Sequence, residues 1–79
     1  MSRRKQNEGK FQNRERLEDN GRIYWYDVQG RKGWKARYVK EVDEKEATRR
    51  FWQEIYDENG TLVEIHKKFP VDKGHQKLT

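Results

Sequence analysis

Glu54, Glu64 and His66 are the residues of this chain best equipped for proton transfer, because a carboxylate beside an imidazole is the least that general acid–base chemistry needs. Trp52 and Tyr56 accompany them, and Arg37, Arg50 or Lys68 could supply the cation that a metal-independent ribonuclease uses to steady a pentavalent phosphate. Charged residues at period two are also what any half-exposed sheet displays, so a solvated face explains the trio equally simply.

A second set suits a different chemistry. Tyr24, Trp25, Tyr26 and Trp34 interleave with Lys35, Arg37 and Lys40, with Tyr38 among them and Arg31 and Lys32 in the connecting turn. Rings exposed on a sheet stack on unpaired bases for roughly 1 to 3 kcal/mol each, while neighbouring cations follow the phosphates. The same rings could instead be the core of a domain short of aliphatic residues. Alternate strand residues face opposite sides, so the two uses are compatible. Arg3-Arg4-Lys5, followed by Lys10, Arg14 and Arg16, is a basic arm that could track phosphates or remain a solvated tail.

Other chemistries find no foothold. His66 and His75, even with Asp72, match no zinc-ligand spacing, and the chain has no cysteine for a thiolate site or a disulfide. Gly30-Arg31-Lys32-Gly33 lies between two strands, where turn geometry accounts for it, rather than at the helix N-terminus a phosphate loop requires. No metal and no cofactor are therefore expected.

The elements that must position these residues can be read from pattern. RRFWQEIYDENGTLVEIHKKF, from Arg49 to Phe69, is a β-hairpin in which Asp57-Glu58-Asn59-Gly60 has the residue types of a type I turn closing on a glycine bulge. With Glu58-Asn59-Gly60 as a three-residue loop, Asp57 pairs with Thr61 and Ile55 with Val63. Phe51, Ile55, Val63 and Ile65 then share the core face with Gln53 and Lys67, while Trp52, Glu54, Tyr56, Leu62, Glu64 and His66 share the other. That register sets Glu54 directly opposite Glu64, which is mildly destabilising and asks for a reason. RIYWYDV, from Arg22 to Val28, and WKARYVKEV, from Trp34 to Val42, make a preceding pair of strands around Gln29–Gly33. DEKEATRRFWQEIYDE also has the formers of one long helix, but a helix there would leave the strand-like TLVEIHKKF without a partner.

The ends are less patterned. Residues up to about Gly9 read as a disordered arm, and KFQNRERLED, from Lys10 to Asp19, as a short helix stopped by Asn20-Gly21 and anchored by Phe11 and Leu17. After Phe69, Pro70 ends the ladder, and Asp72 could cap a last turn carrying His75 and Leu78 in a tail that otherwise stays disordered.

Composition bounds what such a chain can be. Its 79 residues suffice for one domain, and a domain of that size buries only roughly 60% of its unfolded surface. Charged residues make up 42% and apolar ones 30%, so the 13% that are aromatic must supply most of the burial. The charge of +5 favours polyanionic partners, although 14 acidic residues are interspersed among the 19 basic ones. No apolar run is long enough to span a bilayer and the N-terminus lacks a secretory pattern, so a cytoplasmic protein without a membrane partner is expected.

The expectation is an α+β or mainly β domain: a four-stranded antiparallel meander over 22–28, 33–42, 49–57 and 61–68, with a short N-terminal helix or a second subunit over its apolar face. Residues 1–20 are the arm, 21–69 the β domain and 70–79 the tail. The leading function is a non-enzymatic module binding nucleic acid through Tyr24, Trp25, Tyr26, Trp34, Lys35, Arg37 and Lys40. A protein-interaction or homodimeric accessory role is the alternative, and a small ribonuclease built on Glu54, Glu64 and His66 a weaker third.

Overall fold

A computed structural model describes residues 2–71 and 74–78. Among them one helix, α1 (Arg3–Lys10), is followed by six strands: β1 (Asn13–Arg16), β2 (Arg22–Gln29), β3 (Lys35–Val42), β4 (Thr48–Tyr56), β5 (Leu62–Phe69) and β6 (Gly74–Lys77). The strands form one antiparallel sheet in chain order, so the protein is mainly β. The four expected strands are β2 to β5, and the sheet is two strands wider than the four-stranded meander because β1 and β6 add to its edges. Asp72, the expected cap of the last turn, lies outside the described residues, and β6 occupies 74–77 where a tail is expected.

The helix stands earlier than the pattern implies. Ser2 caps it by accepting the Lys5 N–H at 3.2 Å, and Arg4 meets Glu8 one turn on at 3.2 Å. It stops at Phe11, whose backbone is already extended and whose ring is fixed over the sheet. With Phe11 held there, the run expected to be helical from Lys10 to Asp19 continues as the edge strand β1.

Three of the connections repeat one design, a three-residue loop whose last residue is left-handed. Leu17, Asp43 and Asp57 each accept the N–H of the third residue on and donate to the carbonyl of the fourth. The left-handed residues are Asn20 (φ 67°), Glu46 (φ 66°) and Gly60 (φ 79°). Asp43 and Asp57 also bind two backbone N–H groups of their own turns. The expected Glu58-Asn59-Gly60 loop and the Asp57 to Thr61 hydrogen bond are present.

The register beyond that turn is different from the one expected. An irregularity at Val63 places Ile55 opposite Glu64 and Glu54 opposite Ile65, and a second one follows at Lys68. The extra residue converts a carboxylate facing a carboxylate into two mixed pairs, which removes the like-charge opposition of the simple register. The rest of β5 changes face as a consequence. His66 and Glu64 join Phe51, Gln53 and Ile55, while Ile65 and Lys67 join Trp52, Glu54 and Tyr56. The expected sets of Trp52, Glu54 and His66 on one side and Phe51, Ile55 and Ile65 on the other are therefore both broken.

The sheet has a helix face and an open face. On the helix face Phe11 (1% exposed), Tyr24 (0%) and Val42 (0%) form the core, with Tyr26 and Phe51 packed against it. Phe11 lies 6.0 Å from Tyr24, 5.3 Å from Tyr26 and 6.4 Å from Phe51, so the N-terminal segment does cover this side through Phe11. Leu17, the other expected anchor, sits in the β1–β2 turn. On the open face Val39 (4%) is enclosed by its cross-strand neighbours Trp25 and Trp52.

Candidate nucleic-acid interface

A buried polar cluster fixes how α1 sits on the sheet. Glu46 is 8% exposed, and its carboxylate accepts from the Tyr24 hydroxyl at 3.1 and 3.0 Å, from Asn7 Nδ2 at 3.1 Å and from the Arg22 guanidinium. Asn7 in turn accepts from Lys40 Nζ at 2.9 Å. Helix, β2 and the β3–β4 turn thus meet at one carboxylate, and β3 joins them through Asn7. Burial and then the Glu46 hydrogen bond push the Tyr24 phenol up to about 12, and burial pulls Lys40 down. Glu46 takes up a left-handed backbone that its counterpart Gly60 adopts freely, and this conformation aims its side chain beneath the helix.

Beside the helix, the uncovered half of the same face carries a row of five paired residues. Tyr26, Tyr38, Gln53, His66 and His75 lie opposite one another in turn from β2 to β6. Tyr26 and Tyr38 stack with centroids 5.1 Å apart and planes 17° from parallel. Gln53 Nε2 donates to the Tyr38 hydroxyl at 3.1 Å, and the His66 and His75 rings are 4.5 Å apart. Lys68 holds its ammonium 5.2 Å above Tyr38 and 5.9 Å from Phe51. A groove of about 220 Å³ between Lys10, Phe11, Lys40, Phe51 and Phe69 adjoins the row on the helix side.

Charge is divided unequally between the faces. Among the described residues the strands direct Arg14, Arg16, Arg22, Lys40, Lys68 and Lys77 to the helix face against Glu64, with Glu46 entering from its turn. The first sixteen residues carry six basic and two acidic side chains, a net +4 of the chain's +5, and they make up α1 and β1. On the open face Lys35, Arg37, Arg50 and Lys67 are matched by Glu15, Asp27, Glu41 and Glu54. Arg37 holds Asp27 at 2.7 and 3.2 Å and keeps its carboxyl below the usual range, and Arg50 pairs with Glu41.

The residues singled out by sequence are dispersed by this arrangement. Tyr26 belongs to the row, and Lys40 stands at its helix border with its ammonium bound by Asn7. Tyr24 is fully buried and its hydroxyl occupied, so it has no ring face to offer a ligand. Trp25, Lys35 and Arg37 lie on the open face, and Trp34 is exposed at the β2–β3 turn. Of the acid–base trio, Glu64 and His66 share the helix face, whereas Glu54 lies on the open face between Trp52 Nε1 (2.9 Å) and the Tyr56 hydroxyl (2.6 Å). Burial and then Glu54 push Tyr56 up to about 12. Among the described residues no three His, Asp or Glu side chains converge as a metal site would require, and no helix is long and apolar enough to cross a membrane.

Sequence reading passed over Gln53 and His75 as members of the row and Lys68 as the cation above it. The pairing of Gln29 with Lys35 across the turn is the signal that sets Tyr26 beside Tyr38, but the phase of β5 depends on the extra residue at Val63, which no residue type announces. Comparison with protein-family models, curated proteins and solved structures finds no match for the chain.

Proposed function

We propose that this protein is a single-stranded nucleic-acid-binding module that works through its helix face. The observation that carries the reading is the row from Tyr26 to His75, a strip of rings and one amide crossing five strands beside Lys10, Lys40 and Lys68. Aromatic and imidazole rings on an open sheet accept unstacked bases, and the tyrosine and glutamine groups can hydrogen-bond base edges. Cations along the border suit a phosphate backbone, and the +4 of α1 and β1 raises the local concentration of a polyanion. A duplex, with its bases stacked inside, offers such a strip little to stack upon.

Titration of the whole chain with fluorescently labelled single-stranded RNA and DNA oligonucleotides at about 50 mM and about 200 mM salt tests the reading. Three or four phosphate contacts predict an affinity loss of about 20- to 50-fold between the two conditions. The absence of any salt-dependent binding at the lower concentration would overturn it.

A further inference from the structure

The open face presents a problem that the nucleic-acid reading does not touch. Trp25 and Trp52, on either side of the enclosed Val39, form an apolar row across β2, β3 and β4, with Ile23 and Ile65 beside it, and no helix or strand among the described residues packs over that row. The core on the other side rests on Phe11, Tyr24 and Val42, which is thin for a chain of 79 residues. Acidic and basic side chains balance on this face in a protein that is otherwise basic, so a polyanion has no electrostatic reason to settle there.

We infer that the occupant of this face is a second copy of the chain, packed sheet to sheet about a two-fold axis that lies along the Trp25–Val39–Trp52 row. On one side of that row stand Glu41 and Arg50, adjacent across β3 and β4; on the other stand Arg37 and Glu54, adjacent across the same strands. A two-fold axis along the row lays each side of one copy over the opposite side of the other. Glu41 then meets the Arg37 position of the second copy, and Arg50 meets its Glu54 position. Each apolar residue of the row meets its own equivalent, so Trp25, Val39 and Trp52 form the centre of an isologous interface with charged pairs on both flanks. The axis running along β3 instead would bring Asp27 over Glu54, both acidic and beside the centre, whereas the axis along the row brings only Lys67, exposed at the row's outer end, onto its own equivalent. Strands of the two sheets remain aligned, as face-to-face sheets prefer. Both helix faces point outward, away from the junction.

Sedimentation equilibrium of the whole chain at about 0.1 M salt, over about 10 µM to 0.5 mM, should show a monomer–dimer equilibrium. Arg37→Glu should weaken the dimer by about tenfold or more, since it sets two acidic groups together twice per interface. Arg37→Glu combined with Glu41→Arg in the same chain should recover it to within about threefold, because the reversed pair is again complementary. Circular dichroism melting reports whether each variant folds, and Arg50→Glu with and without Glu54→Arg repeats the test on the other flank. A wild-type monomer throughout the range overturns the proposal, as does a dimer indifferent to the single reversals or one not rescued by the double ones. A monomer whose Trp25 and Trp52 fluorescence instead responds to oligonucleotide would assign the face to nucleic acid and likewise overturn it.

Discussion

The Tyr24 hydroxyl sits within hydrogen-bond distance of both carboxylate oxygens of Glu46, at 3.1 and 3.0 Å, so one buried acid ties the second strand to a turn 22 residues away. Asn7 joins the same carboxylate from the helix, and Arg22 balances its charge. Replacing Glu46 by Ala leaves the Arg22 cation and the Tyr24 hydroxyl without their acceptor. Urea unfolding should show a loss of about 3 kcal/mol, and amide exchange should be fastest to rise in α1, which loses its attachment. Unchanged stability would mean that the cluster is not what holds the helix.

Alkaline pH should weaken the fold through the same contact. Tyr24 and Tyr56 both have phenols raised to about 12, against an ordinary value of 10.0. A group that keeps its proton longer when folded contributes stability fully below its unfolded value and loses it as pH rises through the folded one. The contribution of these two phenols should therefore be flat up to about pH 9 and fall between about pH 10 and pH 12, opposed in part by Lys40, whose lowered value favours the fold as its ammonium deprotonates. Tyr24→Phe should reduce the slope in that window, and phenolate absorbance should show two late-titrating tyrosines. A slope unaltered in Tyr24→Phe would locate the effect elsewhere.

The three left-handed turn residues should respond differently to glycine and alanine. Gly60 stands at φ 79° with open space where a Cβ would go, so Gly60→Ala costs backbone strain alone, about 1 kcal/mol. Asn20→Gly relieves mild strain but gives up the hydrogen bond that Asn20 Oδ1 accepts from Arg16 at 2.9 Å, so it should be close to neutral. Glu46→Gly relieves the same kind of strain but removes the buried carboxylate, so it should lie close to Glu46→Ala. If Glu46→Gly proved stabilising in thermal melts, backbone strain would outweigh the polar cluster.

Within the proposed nucleic-acid interface, rings and cations should separate by their salt behaviour. Tyr38→Ala should cost about 1 to 3 kcal/mol of binding at every salt concentration. Lys68→Ala should also flatten the salt dependence by about one unit, as loss of a phosphate contact does. Trp25→Ala, on the opposite face, should leave oligonucleotide affinity unchanged in a folded variant. Equal losses from Tyr38 and Trp25 would count against a one-sided interface.

The central strands were legible because their information is local. Asp57 to Gly60 carries turn chemistry in its residue types, and RIYWYDV is too rich in aromatic and β-branched residues for anything but a strand. The outer elements were not legible, because what orders them is remote. Asn13–Arg16 is polar and exposed at every position, and it is a strand only because Phe11 is anchored before it and β2 offers an edge. Arg3–Lys10 has no apolar stripe, and its place is set by Asn7 reaching Glu46, 39 residues later. The candidate site shares this character. Tyr26 and Tyr38 follow from the first hairpin, but His66 and His75 reach the row only through the irregularity in β5, so no pattern of residue types would have gathered them.

The residue inserted at Val63 acts as a phase switch for everything after it. A strand carries two interleaved messages, one per side, and shifting it by one position exchanges which partner reads which message. Were Val63 instead seated in the ladder opposite Ile55, His66 and Glu64 would turn toward Trp52, while Ile65 and Lys67 would turn toward Tyr38. The ring row would be cut at Gln53, and the neutral side would gain a carboxylate and lose a lysine. Whether one aliphatic residue is seated in the ladder or bulged out of it thus decides the electrical polarity of this end of the sheet without altering one ionisable group.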